Sequence, residues 1–315
     1  MPTSDRTTFL AIDGGGTKTE GVRVTADGRI LARARVGATN PNDLGRETAC
    51  ARLAALLDQL VADGRDAALF AGIAGAIGNE DALRAALAGR AERVGVGSDA
   101  VNLLSAMGRR DGACLIAGTG SVCFARRGEE IRRIGGWGYL LDNGGSGYDI
   151  GRDALSAALR AHDGRGEPTM LTERLTEALG EPVHTAIPRI YREGKPFIAA
   201  LAPIVFAAAE DGDAVAAAIL DRNADCLAEL LCTAAAWLGA DAPMPVQLGG
   251  SILTAADAMR DRLADRVSAA ITLHCSPAPP VWGAACEAMA LAGIEPEAGA
   301  LERFAEEYWD GTAER

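Results

Sequence analysis

The chain has 315 residues, of which 49% are apolar and 23% charged, and this predicts a globular protein of about two domains. A formal net charge of −12 and the absence of a basic run argue against a nucleic-acid partner. No apolar window reaches the roughly 18 residues of a membrane-spanning helix, and the first residues do not resemble a signal peptide. We therefore expect a cytoplasmic protein with no membrane partner.

The seven cysteines are odd in number and include no C-x-x-C pair, which favours reduced core thiols in a reducing compartment. Cys114 and Cys123 lie in predicted strands, and Cys226 and Cys232 in a helical pattern. The three histidines are scattered, so a histidine-based metal site is not expected.

The first third of the chain predicts a strand-rich hairpin followed by alternating helices and strands. A tight turn at Gly14–Gly16 separates two β-rich runs, and the residues after it alternate with period two. A Walker P-loop and a dinucleotide-binding turn both lead from a strand into a helix, so neither fits. The predicted strands are 8–12, 20–24, 30–36, 67–73 and 94–97, and the predicted helices are 44–62, 81–88 and one that begins at Ala100.

The opening hairpin recurs about 105 residues later, which indicates an internal duplication. Strands are predicted at 114–117, 122–126 and 129–134, with the second glycine turn between the first two. A glycine-rich loop at 135–147 then leads into a helical stretch from 150 to about 238, which prolines interrupt. A strand at 246–248 and further helices complete the chain, and the domain boundary is expected near 110–115 as a tight crossover.

Three segments share a short apolar run that enters a turn of glycine, threonine or serine. They are Ile12–Thr19, Ile116–Ser121 and Gln247–Ile252. Glycine lets the backbone approach a ligand closely, and such turns expose N–H groups and hydroxyls that can cradle phosphate oxygens. The residues expected to bind a nucleotide are Gly14, Gly15, Gly16, Thr17, Lys18, Gly118, Thr119, Gly120, Ser121, Gly249, Gly250 and Ser251.

With these motifs the chain resembles the BadF/BadG/BcrA/BcrD-type ATPase family of the actin, sugar-kinase and heat-shock-chaperone superfamily, which includes N-acetylglucosamine and glucosamine kinases. The segments Gly135–Gly138 and Gly145–Tyr148 are the more diagnostic ones. The resemblance implies an α/β fold with two ribonuclease-H-like (actin-like ATPase) domains flanking a nucleotide and sugar cleft. We expect residues 1–112 in the first domain and 113–297, helix-rich, in the second. A helix at about 298–315 is expected to pack back on the first domain.

Phosphoryl transfer requires neutralised phosphate charge and a carboxylate that accepts the proton of the acceptor hydroxyl. Asp13, at the end of the first strand, is expected to hold Mg²⁺, and an ordinary turn aspartate is the alternative. The resemblance implies that Asp99 is the catalytic base and contacts the acceptor hydroxyl. Ser98-Asp99 is also a common helix N-cap signal, so a capping role is the alternative.

The resemblance further implies a sugar site that contains Asn40, Gly136, Trp137, Gly138 and Asn143. A turn asparagine before proline and a core tryptophan are the alternatives for Asn40 and Trp137. Kinases of the family usually read Gly-Asp-Glu-Gly-Ser where this chain has Asp142-Asn143-Gly144-Gly145-Ser146, so a sugar-binding aspartate is replaced by Asn143. Asp142 can substitute for it if the loop shifts by one residue.

The sequence therefore predicts an ATP- and Mg²⁺-dependent kinase that phosphorylates the 6-hydroxyl of N-acetylglucosamine or glucosamine, with a homodimer implied by the resemblance. One alternative is an ATPase activator of 2-hydroxyacyl-CoA dehydratase type, which needs exposed cysteines for an iron–sulfur cluster. The other is a non-catalytic sugar- or nucleotide-binding protein. Regulators of that type carry a helix-turn-helix region, and this chain is expected to lack one because it begins at the first strand.

Overall fold

A computed structural model describes residues 7–60, 66–107, 112–239 and 243–310. The chain divides into two compact units, one comprising Met1–Arg110 with Ser276–Arg315 and the other Asp111–Cys275. Within the described ranges, no helix combines the length and hydropathy that crossing a membrane requires.

The strands are β1 (Thr8–Gly14), β2 (Lys18–Thr25), β3 (Ile30–Gly37), β4 (Asp66–Ile73), β5 (Ala91–Gly97), β6 (Gly112–Ala117), β7 (Ser121–Arg127), β8 (Glu130–Ile134), β9 (Met244–Gly249) and β10 (Ile271–His274). The helices are α1 (Pro41–Leu44), α2 (Arg46–Asp58), α3 (Glu80–Leu87), α4 (Asp99–Ser105), α5 (Gly147–His162), α6 (Leu171–Leu179), α7 (Val183–Ala199), α8 (Ala202–Glu210), α9 (Ala214–Leu238), α10 (Ser251–Thr254), α11 (Asp257–Ala264), α12 (Val281–Leu291) and α13 (Ala300–Asp310).

The first unit is built on a five-stranded sheet in the order β3-β2-β1-β4-β5. β1, β2 and β3 form antiparallel pairs, whereas β4 and β5 run parallel to β1. β1 is buried on both faces because helices cover the sheet on both sides, so its residues read as a continuous apolar run. The parallel strands β1, β4 and β5 all end at the same edge, which brings residues 13, 72 and 97 together there.

Helix α12 packs on this first sheet. Trp282 is fully buried in a cluster with Phe9 and Phe304, and a Cβ on Gly283 would overlap the backbone carbonyl of Asn102 in α4. The expected second domain, 113–297, was therefore wrong at its C-terminal end, because residues 276–297 belong to the first unit. The apolar face of α12 is complementary to the buried residues of β1, and sequence order alone did not reveal this return.

The last helix, α13, also lies on the first unit. The Tyr308 hydroxyl donates to Glu20 Oε2 at 2.8 Å, and the guanidinium groups of Arg33 and Arg35 donate to Glu20 Oε1. Burial alone would raise the pKa of Glu20, but these hydrogen bonds outweigh it and lower the pKa to about 2. A buried, ionised carboxylate thus connects the end of the chain to the opening hairpin.

Two sequence expectations differ from the structure in detail. The helix expected over 44–62 is divided at Gly45, whose φ of 80° is unfavourable for other residues, into α1 and α2. Ala62 lies outside the described residues. Of the cysteines, Cys226, Cys232 and Cys275 are exposed, so the expectation of core thiols holds only for part of the set.

The second unit repeats the sheet. Its strand order is β10-β9-β6-β7-β8, with two antiparallel pairs on one side of β6 and two parallel strands on the other. This is the order of the first sheet, so the predicted duplication and the α/β fold class are confirmed. The added helices α5–α9 form most of its apolar core. Within α7, Gly194 has a φ of 70° and a ψ of −152°, which breaks the helix there.

Candidate active site

The turn between β1 and β2 is held in place by the backbone of two other loops. The N–H of Gly15 donates to the carbonyl of Lys18 at 2.9 Å, Thr39 N–H donates to Gly15, and Ala74 N–H donates to Gly14 at 2.7 Å. A Cβ on Gly14 would lie 2.7 Å from Thr39 Oγ1, so only glycine fits there. The turn is therefore rigid on its inner side.

The outer side of the same turn faces solvent. Gly16, Thr17 and Lys18 are exposed, so their backbone groups and side chains are accessible to a ligand. Lys18 Nζ lies 3.6 Å from Glu20, which limits how far its side chain swings. This arrangement suits the predicted phosphate cradle.

Asp13 lies directly before this turn. Asn102 Nδ2 donates to Asp13 Oδ1 at 2.7 Å and also to the Gly72 carbonyl at 3.1 Å. Burial raises the pKa of Asp13 to about 6, with a further increase from the charge of Asp99, although the Asn102 hydrogen bond opposes the change. No hydrogen bond within the described part of the chain engages Asp13 Oδ2, so this oxygen remains available to a cation.

Asp99 is the first residue of α4, at the end of β5. Ser98, not Asp99, is the N-cap residue, because Ser98 Oγ accepts from the N–H of Ala100. Asp99 Oδ1 accepts from Ser98 Oγ at 2.9 Å and from the N–H of Ala100 at 3.0 Å. Among the described residues, none forms a hydrogen bond with Asp99 Oδ2, which leaves one carboxylate oxygen for an acceptor hydroxyl.

Asn40 is the N-cap of α1, so the turn role that its sequence context suggested is present. Its Oδ1 accepts from the N–H of Asn42 at 3.0 Å, and its Nδ2 donates to Asp43 at 2.6 Å. A Cβ on Gly75 would overlap Asn40 Oδ1, so the β4–α3 loop approaches the asparagine closely. The amide remains partly exposed and can still meet a sugar hydroxyl.

The second glycine turn, between β6 and β7, is connected to the loop that follows β8. Gly118 N–H donates to Gly120 at 2.8 Å, and Gly147 N–H donates to the Gly118 carbonyl at 2.7 Å. Ser121 is buried, its hydroxyl donates to the Gly144 carbonyl at 2.7 Å, and its N–H donates to an asparagine. Both donors of Ser121 are engaged inside the unit, so it supports the turn, whereas Thr119 is exposed.

The asparagine that accepts from Ser121 is Asn143. It is only 6% exposed, with Oδ1 3.3 Å from Ser121 N and Nδ2 donating to Ser146 Oγ at 2.5 Å. Ser146 in turn caps α5 by accepting from the N–H of Asp149. Asn143 thus supports the turn, and it also lines a cavity of about 390 Å³ together with Asp142, so its sugar-binding role stays a prediction. A neutral amide accepts and donates at once, which an ionised aspartate cannot do.

Trp137 lies in an exposed loop and is not a core residue. Its side chain is 63% exposed, and the guanidinium of Arg133 lies 4.6 Å from its ring centroid. Gly136 and Gly138 both have positive φ, which lets the loop turn tightly around the indole. The core-packing alternative for Trp137 is thus excluded, and an aromatic surface remains available.

A cavity of about 430 Å³ lies beside the second glycine turn. Its wall includes Gly118, Thr119 and Ser251, as expected, together with the apolar side chains of Pro196 and Phe206. Gly249 ends β9, and Gly250, with a φ of 81°, packs on the carbonyl of residue 117, where a Cβ would overlap. A mostly apolar wall next to a phosphate-type turn suits a nucleoside.

A model of the BadF/BadG/BcrA/BcrD ATPase family matches residues 10–288. The chain belongs to this family. The sequence-based prediction of the family is therefore confirmed.

Two curated kinases are similar to this chain over more than two thirds of its length. The N-acetylmuramic acid/N-acetylglucosamine kinase of Clostridium acetobutylicum is 34% identical over 233 residues, which is 68% of this chain and 75% of the relative. The N-acetyl-D-glucosamine kinase of Dictyostelium discoideum is 30% identical over 258 residues, 74% of this chain and 81% of the relative. The prediction of an ATP-dependent hexosamine kinase agrees with both.

Among solved structures, a candidate N-acetylglucosamine kinase from Chromobacterium violaceum superposes with a TM-score of 0.64. It is 24% identical and the match covers 91% of this chain and 99% of that one, which supports the shared fold.

Sequence reasoning missed Asn102 and Phe206. Asn102 follows Asp99 by one helical turn, so helical spacing could have placed it on the same face. Its contact with Asp13 depends on the packing of α4 against β1 and β4, which only tertiary structure defines. Phe206 gave no signal beyond its apolar character, because it lies in a helix of alanines and other apolar residues.

Proposed function

We propose that the protein is an ATP-dependent kinase that transfers the γ-phosphoryl group to the 6-hydroxyl of N-acetylglucosamine or glucosamine. The observation that carries this proposal is the position of Asp99 at the end of β5. It has an unengaged carboxylate oxygen, and its charge acts on Asp13 at the same edge of the sheet. The two curated kinases provide the substrate class.

Asp99 acts as the general base. Its free carboxylate oxygen accepts the proton of the 6-hydroxyl as that oxygen forms a bond to the γ-phosphorus. The bond between the γ-phosphorus and the bridging oxygen breaks, and ADP leaves with the electron pair. A base of this kind contributes about 10²- to 10⁴-fold to the rate.

Asp13 is the residue that would hold Mg²⁺. Its partly exposed carboxyl has one oxygen fixed by Asn102 and the other unengaged within the described chain, which fits a cation that takes few protein ligands. Groups of three or more candidate metal ligands are absent from the described residues, as expected if phosphates and water complete the shell. The ion would supply positive charge against the transferred phosphoryl group.

The ATP side is assigned to two surfaces. In the first unit it is the turn Gly14, Gly15, Gly16, Thr17 and Lys18. In the second unit it is Gly118, Thr119 and Gly120 with the cavity wall near Gly249, Gly250 and Ser251. The expectation that these surfaces meet across one cleft concerns the arrangement of the two units and stays a prediction.

The sugar side is assigned to Asn40 in the first unit and to the loop Gly136, Trp137 and Gly138 in the second, and that these residues meet stays a prediction. Asn143, which lines a cavity with Asp142 in the second unit, is assigned to the sugar side as well. An indole face packs well on the apolar face of a sugar ring, and Asn40 offers both a donor and an acceptor.

A kinase assay across a panel of hexoses and hexosamines tests the proposal. ADP release is measured with N-acetylglucosamine, glucosamine, N-acetylmuramic acid and glucose, and the product is located by NMR at the 6-position. We expect Asp99→Asn to lower kcat by about 100-fold or more. Asp81→Asn is the matched control because Asp81 is fully exposed on α3 and should leave turnover unchanged.

Turnover that Asp99→Asn leaves intact would overturn the role of the base. Nucleotide or sugar binding without turnover would instead favour the non-catalytic alternative. Iron in the purified protein would favour the dehydratase-activator alternative.

A further inference from the structure

The chain has only two lysines among its 31 basic residues, Lys18 and Lys195. Lys18 belongs to the first glycine turn, and Lys195 lies far away in sequence, in the helical region of the second unit. A Cβ built on Gly120, in the second glycine turn, would lie 3.4 Å from Lys195 Nζ. Each glycine turn of the duplicated sheet therefore has one lysine ammonium beside it.

We propose that Lys195 binds the polyphosphate of the nucleotide at the second glycine turn. This inference rests on the proposed kinase function, and it adds a phosphate-binding residue from the helical region to the β-hairpin turn.

The backbone at Gly194 is what directs Lys195 to this turn. The helical path of α7 is interrupted at Gly194, and Pro196 immediately after Lys195 lines the nucleoside-sized cavity. A continuous helix would carry residue 195 around the axis of α7, whereas the break starts a new turn that faces the cavity. A positive φ of 70° is readily accessible to glycine and costly for other residues.

The charge of Lys195 acts on Asp149 at longer range, where it opposes the increase that burial causes in the pKa of that carboxyl. Within the described part of the chain no acidic group lies within ion-pair distance of Nζ, and the ammonium lies 5.6 Å from the ring centroid of Tyr139. Lys195 is also partly buried, so its charge is less screened than that of a solvated lysine. An ammonium beside exposed turn amides is a common way to bind phosphate, and it acts as a point charge with rotatable donors.

Calorimetric titration with AMPPNP and with adenosine tests the proposal without any sugar turnover. We expect Lys195→Met to weaken AMPPNP binding by about 10- to 100-fold and to leave adenosine affinity unchanged, because only the phosphates contact the ammonium. Lys195→Arg should restore most of the affinity because it keeps the charge. Arg192→Met is the matched control, since Arg192 is an exposed cation on the same helix before the break.

Equal AMPPNP affinity in Lys195→Met and the wild type would overturn the inference. So would an equal loss for adenosine, which indicates a structural role. Amine labelling of the wild type provides a measurement that needs no variant: AMPPNP should slow the acetylation of Lys195 and adenosine should not. If the wild type phosphorylates no sugar while these results hold, the kinase proposal fails and the phosphate site stands.

Discussion

The two sheets have the same strand order, but the residues at the ends of their first strands differ. β1 ends in Asp13-Gly14, whereas β6 ends at Ala117, directly before Gly118 in the second turn. In the first unit a buried asparagine fixes the carboxyl of Asp13. In the second unit the carbonyl of residue 117 packs on Gly250 instead.

This difference indicates that the duplicated backbone supplies the turn and the side chains around it supply the chemistry. The first turn is bordered by two carboxylates, and the charge of Asp99 adds to the effect of burial in raising the pKa of Asp13. The second turn is bordered by an apolar cavity and one lysine. Substitutions in the first unit should therefore change catalysis and its pH dependence, and substitutions in the second should change nucleotide affinity.

Of the substitutions that test this comparison, Asp13→Asn is expected to have the largest effect on kcat. The amide can still accept from Asn102, but it lacks the charge that we propose holds Mg²⁺, so kcat should fall by about 100-fold. Because burial raises the pKa of Asp13 from 3.8 to about 6, the native state binds the proton more tightly than the unfolded state. Stability therefore falls as pH rises through this window, and it stays lowered above it.

Asp13→Asn has no carboxyl to ionise, so it avoids this loss of stability. Without Mg²⁺ it should therefore unfold at a higher urea concentration than the wild type at neutral pH. The two midpoints should converge below about pH 4, where Asp13 is protonated in both states. A variant less stable than the wild type at neutral pH would contradict the buried-carboxylate assignment.

The wild-type pH profile should show the same group. As pH falls below about 6, Asp13 takes up a proton and loses the charge that we propose binds the cation. We expect kcat/KM to decrease about tenfold per pH unit there at subsaturating Mg²⁺, and saturating Mg²⁺ should shift the decrease to lower pH. Asp13→Asn should lack this decrease of kcat/KM at low pH, the acidic limb of the profile. If the acidic limb persists in the variant, another group titrates there.

Much of the scaffold could be predicted from the sequence, because period-two alternation and glycine turns are local signals. The hairpin around Gly14–Gly16 and its repeat at Gly118–Gly120 are of this kind. The hydrogen bonds of Asn143 could not be predicted, because its two partners, Ser121 and Ser146, come together only when the loop folds over the turn. The return of α12 to the first unit was missed for the same reason.

Asn102→Ala should have a smaller effect than the Asp13 variant. It removes the donor that Asp13 and the Gly72 carbonyl share, so the free energy of unfolding should fall by about 1–3 kcal/mol. Its hydrogen bond lowers the pKa of Asp13, so the acidic limb of activity should move to higher pH. Urea titration and the pH profile measure the two effects.

Asn223→Ala is the matched control in the second unit. Asn223 is also buried, with Oδ1 accepting from Gly145 N–H at 2.9 Å and Nδ2 donating to the Ile219 carbonyl at 2.9 Å. It should destabilise the protein comparably and leave the acidic limb where it was. A shift in both variants would mean that loss of stability alone moves the profile.

Phe206→Ala should have the smallest effect, and it should change only the KM for the nucleotide. The ring lines the cavity beside Thr119 and Ser251, and removing it takes away apolar surface from the proposed nucleoside site. We expect KM for ATP to rise about 3- to 10-fold while KM for the sugar and the acidic limb stay unchanged. Tyr191→Ala, an 84% exposed aromatic on α7, is the control. An effect of Phe206→Ala on the acidic limb would contradict the division of roles between the two sheets, because the ring packs within the second unit and the titrating carboxyl belongs to the first.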